Sequence, residues 1–316
     1  MALGRNLPGG RSRSSLDRWC DRWFVRTTLG LAVLTGLLVA LMVGVITWQA
    51  LPAVQQFGLR FITGSAWNPV REDFGVLPMI YGTLVSSGVA LLIAVPLGLG
   101  TAIFLSEDFL PRPLRCVLAF GVELLAAIPS VVYGLWGMWV LIPLLQPLAR
   151  WLHRHWGWVP LFGTEPVGPG LLPAALLLAM MILPMVTAMT KDALEALPSE
   201  LRQASLALGA TRWWTIVRVL LPAAMSGIVG GTMLALGRAL GETMAVTMLI
   251  GNVNQLQVSW LAPANTIASL LASQFPEAQG MQVAALMYAA LLLVLLTLVV
   301  NILAEVIVNR LQAKYE

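Results

Sequence analysis

The stretch from Ser199 to Pro222 reads SELRQASLALGATRWWTIVRVLLP and lies between two long apolar runs of the chain. Ser199 follows a proline and is a favourable N-cap for a short helix, and Glu200 suits the positive end of that helix. The small and apolar residues of this helix form one narrow face that consists of Leu201, Ala204, Ser205 and Leu208. The pattern therefore predicts a short helix with a narrow apolar surface.

Gly209 predicts the end of this first helix, because a residue without a Cβ readily adopts the left-handed conformation that closes a helix. Thr211 is then placed to cap a second helix, which carries Trp213 and Trp214 and leads to Pro222. We name the whole segment, Ser199–Pro222, the elbow. Its two short helices and glycine turn suit the groove of another protein, and the alternative is a loop that lies along lipid headgroups.

The composition identifies a membrane protein. Hydrophobic residues make up 58% of the 316 residues and charged residues only 11%, whereas a soluble domain carries about 25% charged residues. Segments between the apolar runs are too short to bury a core of their own. The fold class is thus all-α and polytopic, with six transmembrane helices predicted at 29–48, 76–106, 116–145, 171–190, 223–250 and 283–304.

The basic residues predict the orientation in the membrane. With both termini in the cytoplasm, fourteen Lys and Arg lie on the cytoplasmic side, four lie outside and one lies within a span. This alternation is typical of membrane topology and argues against nucleic-acid binding. The predicted regions are a cytoplasmic tail with an interfacial helix at 1–28, a first span with an external segment at 29–75, a five-helix core at 76–308 with a cytoplasmic loop at 191–222, and a cytoplasmic tail at 309–316.

The fifth predicted span contains two charges one turn apart, Arg238 and Glu242. Each costs about 2.5 to 3.5 kcal/mol at the centre of a spanning helix, so both are expected to face the interior of the bundle. In one interpretation they form an ion pair that holds helices together. In the other, Arg238 faces a water-filled path where its planar donors hold an oxyanion, and Glu242 orients or gates it.

Small residues in the same span indicate close helix packing. Gly227 and Gly231 stand four residues apart, as do Gly237 and Gly241, so both pairs are expected to let another helix approach.

Several other residues carry predictions of their own. Glu123 is expected to be a buried acid in the third span, which also holds Pro129 as a kink. His153 and His155 are placed on an external loop without acidic or cysteine partners, so no metal site is predicted. Asn265 is expected to cap an external helix that contacts a partner or packs on its own bundle. Cys20 and Cys116 are interpreted as reduced thiols.

The elbow resembles the EAA loop of ABC importer permeases. The similarity lies in Gln203-Ala204-Ser205, three further residues, Gly209, nine residues, and then Val219, Leu221 and Pro222. The resemblance implies contact with a separate ATPase through Gln203, Ala204, Ser205, Gly209, Ala210 and Pro222. Gln203 replaces the glutamate that the family usually has, and Ser205 replaces its second alanine.

Longer segments resemble the permeases of phosphate-specific ABC importers, and among them the PstC subunits rather than the paired PstA subunits. These segments include GRALGETMAV (Gly237–Val246), APANTIAS (Ala262–Ser269) and AIPSVVYG (Ala127–Gly134). The resemblance implies a type I importer permease core in the bacterial inner membrane. From their charges, Arg238 and Glu242 are expected to line the substrate path, and Pro129 and Ser130 are expected to form a kink or gate.

The same resemblance implies several partners besides membrane lipid: a PstA-like permease, PstB-like ATPase subunits and an external PstS-like phosphate-binding protein. The chain contains no GxxxxGK[ST] motif, so it has no P-loop of its own. ATP and Mg²⁺ are therefore expected on the ATPase, with no cofactor, metal or catalytic residue in this chain. The alternatives are a permease for another oxyanion, a self-contained secondary transporter and a membrane-embedded enzyme.

Overall fold

The computed structural model describes residues 15–107 and 109–312. Residues 1–14 and 313–316, which belong to the predicted tails, lie outside this description. The helices are α1 Ser15–Phe57, α2 Arg60–Thr63, α3 Leu77–Ser106, α4 Arg112–Ala127, α5 Ser130–Trp136, α6 Ile142–Trp156, α7 Leu171–Glu195, α8 Ser199–Ala207, α9 Arg212–Thr215, α10 Leu221–Ala223, α11 Met225–Gly241, α12 Met244–Ile250, α13 Ile267–Gln274 and α14 Met281–Gln312.

Shorter elements connect these helices. Gly137–Leu141 and Ile216–Leu220 are π-helical and continue α5 and α9, and 3₁₀ turns lie at Pro160–Phe162 and Phe275–Glu277. A small antiparallel hairpin pairs β1 (Trp67–Asn68) with β2 (Asp73–Phe74).

The prediction of an all-helical polytopic membrane protein is confirmed. In the described part of the chain, helices long and apolar enough to cross a bilayer lie at Arg22–Phe57, Leu77–Ser106, Ser130–Trp156, Leu171–Glu195 and Met281–Val306. A sixth span results if Arg212–Ala223 and Met225–Gly241, which meet at an angle of 68°, form one broken span.

The third span differs from the predicted range of 116–145. Helix α4 ends before Ile128 and Pro129, which are extended with ψ of 128° and 140°. The helix apolar enough to span the membrane is instead Ser130–Trp156. Proline lacks a backbone N–H and disfavours the helical conformation of the residue before it, so the expected kink is a complete break.

Helix α4 also corrects the prediction for Glu123. No residue of α4 is buried within this chain, and the Glu123 side chain is exposed.

The chain divides into two compact units at Trp48. In the first, the side chains from Leu29 to Trp48 are mostly exposed, as expected of an apolar helix surrounded by lipid. In the second, α3 packs along α7 at the centre, and α5, α11 and α12 complete the core. Its large fully buried side chains include Leu171, Leu177, Leu178, Ile182, Leu249 and Ile250.

Helix α13 packs on its own bundle, because Ile267 and Leu270 are fully buried. Its N-cap is Thr266, whose Oγ1 accepts a bond of 3.1 Å from the backbone N–H of Ser269. The prediction that Asn265 is the cap is therefore wrong by one residue. Asn265 instead donates from Nδ2 to Asn254 Oδ1 over 2.6 Å and so ties the preceding loop together.

Candidate functional site

The first arm of the elbow is α8. Pro198 is extended, with ψ of 137°, and occupies the N-cap position, so Ser199 is the first helical residue and its side chain makes no cap bond. The prediction of a serine cap is wrong for this reason. Glu200 lies in the first turn, where its charge is favourable toward the helix dipole.

The turn of the elbow has the predicted geometry. Gly209 has φ of +81°, a conformation that favours glycine over any residue with a side chain. The backbone N–H of Gly209 donates to Leu206 and that of Ala210 donates to Ser205, over 3.0 and 3.2 Å. These are the paired bonds of a Schellman helix end. Thr211 Oγ1 accepts from the backbone N–H of Trp214 over 3.2 Å, which confirms the predicted second cap.

A hydroxyl pair joins the two arms of the elbow. Ser205 Oγ lies 2.9 Å from Thr215 Oγ1 in the second arm, and Thr215 also donates to the backbone carbonyl of Thr211 over 3.1 Å. The family alanine that Ser205 replaces has no hydroxyl for such a bond. The substitution therefore braces the elbow in this chain.

Between the arms lies an apolar groove of about 670 Å³. It is lined by Leu201, Ala204, Ser205, Leu208, Gly209, Ala210, Thr211, Trp214 and Val219. The groove includes four of the six residues predicted to contact the ATPase. Gln203 lies on α8 outside the groove lining, and Pro222 lies in α10 just before the bend into α11.

The second arm of the elbow is anchored in the bundle. Ile216 and Leu220 are buried and pack with Ile103 of α3, Leu194 of α7 and Ile228 of α11. The two arms therefore differ: the second is fixed by apolar packing, whereas no residue of α8 is buried.

Helix α11 presents two contrasting faces. Gly227 and Gly231 lie against α7, where an added Cβ would come within 2.5 Å of Ala193 Cβ or Met189 Cβ. Gly237 and Gly241 have no neighbouring atom within 4 Å of such a Cβ, and neither does Gly230. The packing prediction thus holds within this chain for the first pair of glycines and not for the second.

Arg238 lies at the edge of this open face and is exposed. No ion pair within 4.0 Å joins Arg238 to Glu242, which directly follows the last residue of α11 and has ψ of 123°. The structure therefore does not contain the expected ion pair, and the expectation that Arg238 faces the interior of this chain's own bundle is wrong.

Two helix breaks interrupt the spans that contain Pro129 and Arg238. One separates α4 from α5 at Ile128–Pro129, and the other separates α11 from α12 at Glu242–Thr243, so the fifth predicted span is also discontinuous. Helices α5 and α12 pack against each other. Pro129 and Ser130 thus lie where the helix is interrupted between α4 and α5.

Tyr133 is a site residue that sequence reasoning missed. Its hydroxyl donates to the carbonyl oxygen of Leu125 over 2.8 Å and spans the break between α4 and α5. The sequence feature that could have indicated this contact is the position of Tyr133, a tyrosine with a hydrogen-bonding hydroxyl, four residues after Pro129.

The histidines lie in α6 and not in the predicted loop. His153 Nδ1 is 2.9 Å from the carbonyl oxygen of Phe162, and His155 stacks on Trp151. Across residues 15–107 and 109–312, no cluster of three His, Cys, Asp or Glu side chains is arranged to hold a metal ion.

Residues 94–315 match the protein family described as the binding-protein-dependent transport system inner membrane component. The chain belongs to this family. The matched region of the permease includes the elbow, Arg238 and both helix breaks. The protein is accordingly a multi-pass inner-membrane component of an ABC transporter.

The permease is similar along most of its length to proteins named phosphate transport system permease protein PstC. The protein of that name from Mesorhizobium japonicum is 46% identical, over 99% of this chain and 98% of its own. The one from Pasteurella multocida is 40% identical, with 92% of each chain covered. A probable PstC from Methanocaldococcus jannaschii is 36% identical, over 84% of this chain and 87% of its own.

Solved ABC transporters share the fold of the permease. A chain of a bacterial alginate ABC transporter, solved with its alginate-bound periplasmic protein, gives a TM-score of 0.63 at 17% identity, covering 95% of this chain and 99% of that chain. A chain of the inward-facing MetNI methionine ABC transporter gives a TM-score of 0.53 at 22% identity, covering 77% and 96%.

Proposed function

We propose that this chain is the permease subunit of an ATP-driven phosphate importer and forms half of its translocation path. The observation that carries the proposal is 46% identity over nearly the full length to a phosphate permease. Arg238 supports it, because a guanidinium on an open helix face suits the binding of a phosphate dianion.

The elbow is the proposed contact for a PstB-like ATPase. Its apolar groove is open, and Leu208 at the turn is 89% exposed. An exposed leucine beside an exposed tryptophan is unfavourable in water and suits a partner surface. Because Gln203 carries no charge, we infer that the groove, with Ala204, Ser205, Gly209 and Ala210, supplies most of this contact. Pro222 would pass the motion into α11. This contact requires the elbow and both termini to be cytoplasmic.

The open face of α11 is the proposed wall of the path. It combines Gly230, Gly237 and Gly241 with Arg238, and an arginine surrounded by lipid there would cost about 2.5 to 3.5 kcal/mol. A PstA-like permease placed opposite this face would shield Arg238 from lipid and enclose a hydrated channel. The breaks at Pro129–Ser130 and Glu242–Thr243 would let α5 and α12 move as a gate, with Glu242 orienting the ion or Arg238.

The chain itself is proposed to be non-catalytic. ATP and Mg²⁺ would bind to the ATPase subunits, and a PstS-like protein would deliver phosphate from outside. Alternating access then results when closure of the ATPase pair displaces the two elbows of the permease pair.

Transport in proteoliposomes tests this function. The complex of this chain with PstA-like and PstB-like subunits is reconstituted in vesicles. ATP is enclosed on the side of the ATPase subunits, inside the vesicles, and a PstS-like protein is added outside. We expect accumulation of radioactive phosphate that requires ATP and every subunit, with little inhibition by excess sulfate. Equal inhibition by sulfate would favour a general oxyanion permease. Accumulation by this chain alone, without an ATPase, would favour a secondary transporter.

A further inference from the structure

Arg202 connects the first arm of the elbow to two spanning helices. Its Nε donates to Glu107 Oε1 over 3.1 Å, and its Nη2 lies 3.1 Å from the same oxygen. Nη2 also donates to the backbone carbonyl of Leu194 over 3.0 Å. Glu107 follows the last residue of α3, and Leu194 lies in the last turn of α7.

Glu107 is itself held firmly at the turn between α3 and α4. Its backbone N–H donates to the carbonyl of Ile103 over 3.1 Å. Its own carbonyl accepts from Phe109 N–H and from Arg115 Nη2, each over 2.8 Å. The carboxylate therefore extends from a hydrogen-bonded turn directly after the last residue of α3.

The Glu107–Arg202 pair is better shielded from water than a second ion pair at the same end of α7. The side chains of Arg202 and Glu107 are only 24% and 17% exposed. A second pair on the same end of α7, Lys191 and Glu195, is 3.7 Å apart and 26% and 47% exposed. Removal of one partner costs more where water cannot replace it, so the first pair is the stronger connection.

Apolar packing contributes little to the attachment of the first arm of the elbow, α8. No residue of α8 is buried, and a cavity of about 210 Å³ lies beneath the arm, lined partly by Glu107, Arg202 and Leu206. The bonds of Arg202, together with the Ser205–Thr215 pair, are therefore the main attachment of α8 to the rest of the described chain.

We propose that Glu107 and Arg202 form a latch that transmits the displacement of α8 to α3 and α7. The latch rests on the proposed function, because it transmits motion only if an ATPase moves the elbow. Both members are positioning residues that act through the helices they join. Since α3 and α7 form the centre of the bundle, the latch bypasses the second arm and couples the elbow directly to the core.

A double-mutant cycle on the complete importer tests the latch. Glu107→Gln, Arg202→Gln and the double variant are compared with the wild type for phosphate transported per ATP hydrolysed, with assembly measured by co-purification. Lys191→Gln/Glu195→Gln serves as the control pair. We expect each single variant to assemble and hydrolyse ATP, yet to transport about tenfold less phosphate per ATP, and the double variant to lose no more than either single one. The control pair keeps the wild-type ratio.

Arg202→Lys provides a second route if a neutral variant does not assemble. It keeps the charge but lacks the fork that holds Glu107 and Leu194 together, so a reduced ratio is again expected. An unchanged ratio in the assembled variants, or independent losses that multiply in the double variant, overturns the latch while the importer function stands. A wild-type complex that imports no phosphate overturns both.

Discussion

At the scale of single residues, Arg238 is an exposed charge on a membrane-spanning helix. It is exposed on a helix face lined with glycine, and it forms no ion pair with Glu242. A permanent cation in such a place requires water, an anion or another subunit. We propose that Arg238 meets water, the transported anion and the second permease subunit in the translocation path.

Replacement of Arg238 tests this assignment. We expect Arg238→Gln to reduce phosphate uptake by at least about tenfold, because a charge-assisted bond to an anion is worth about 1.5 to 3 kcal/mol. Assembly is expected to remain normal, since Arg238 makes no ion pair with the residues that the structure describes. The measurement is phosphate uptake in vesicles, normalised to the amount of assembled complex.

Arg154→Gln is the matched control, because Arg154 is also an exposed arginine but lies on α6. Loss of assembly in Arg238→Gln would instead favour a structural role between subunits. Normal uptake would remove Arg238 from the path.

At the scale of elements, the elbow depends on the conformation of one glycine. Gly209→Val places a β-branched side chain at φ of +81°, which costs about 1 to 3 kcal/mol or distorts the turn between the arms. We expect membrane insertion to persist and coupled uptake to fall sharply, as measured by membrane content and phosphate uptake. Gly88→Val is the control, because Gly88 is an exposed α3 residue with space for a Cβ. Normal uptake in Gly209→Val would count against docking through the elbow.

The two faces of α11 predict opposite effects of the same change. Gly231→Ala places a Cβ 2.5 Å from Met189 Cβ, so overpacking against α7 is expected to cost about 1 to 3 kcal/mol. Gly237→Ala places a Cβ with no atom of the described residues within 4 Å, so the isolated subunit is expected to keep its thermal stability. Thermal unfolding of the purified subunit in detergent measures both. Equal melting temperatures for the two variants would contradict this arrangement of α11.

At the scale of the whole molecule, hydrophobicity and turn chemistry were sufficient for the helical architecture and the elbow. Apolar runs locate the spans because lipid demands them, and Gly209 and Thr211 specify local geometry through local bonds. The breaks at Pro129 and Glu242 were harder to predict, because long apolar stretches continue on both sides of each break. Periodicity therefore predicted single spans where the chain has two helices.

Ion pairs between residues far apart in the sequence could not be predicted from the sequence alone. Glu107 and Arg202 are separated by 95 positions, and only the packing of α3 beside α7 brings them together. Arg238 and Glu242 have the spacing of a helical ion pair, yet no ion pair joins them in the structure.

The central claim is that a separate ATPase moves this permease by holding an elbow on the cytoplasmic side. Cys20 and Cys116 are replaced by serine, and Leu208→Cys introduces one thiol at the exposed turn. An impermeant maleimide is then applied to vesicles of each orientation. The account predicts labelling in inside-out vesicles stripped of ATPase, protection when the ATPase subunits are bound, and no labelling in right-side-out vesicles. Labelling from the external side, or from neither side, would contradict it.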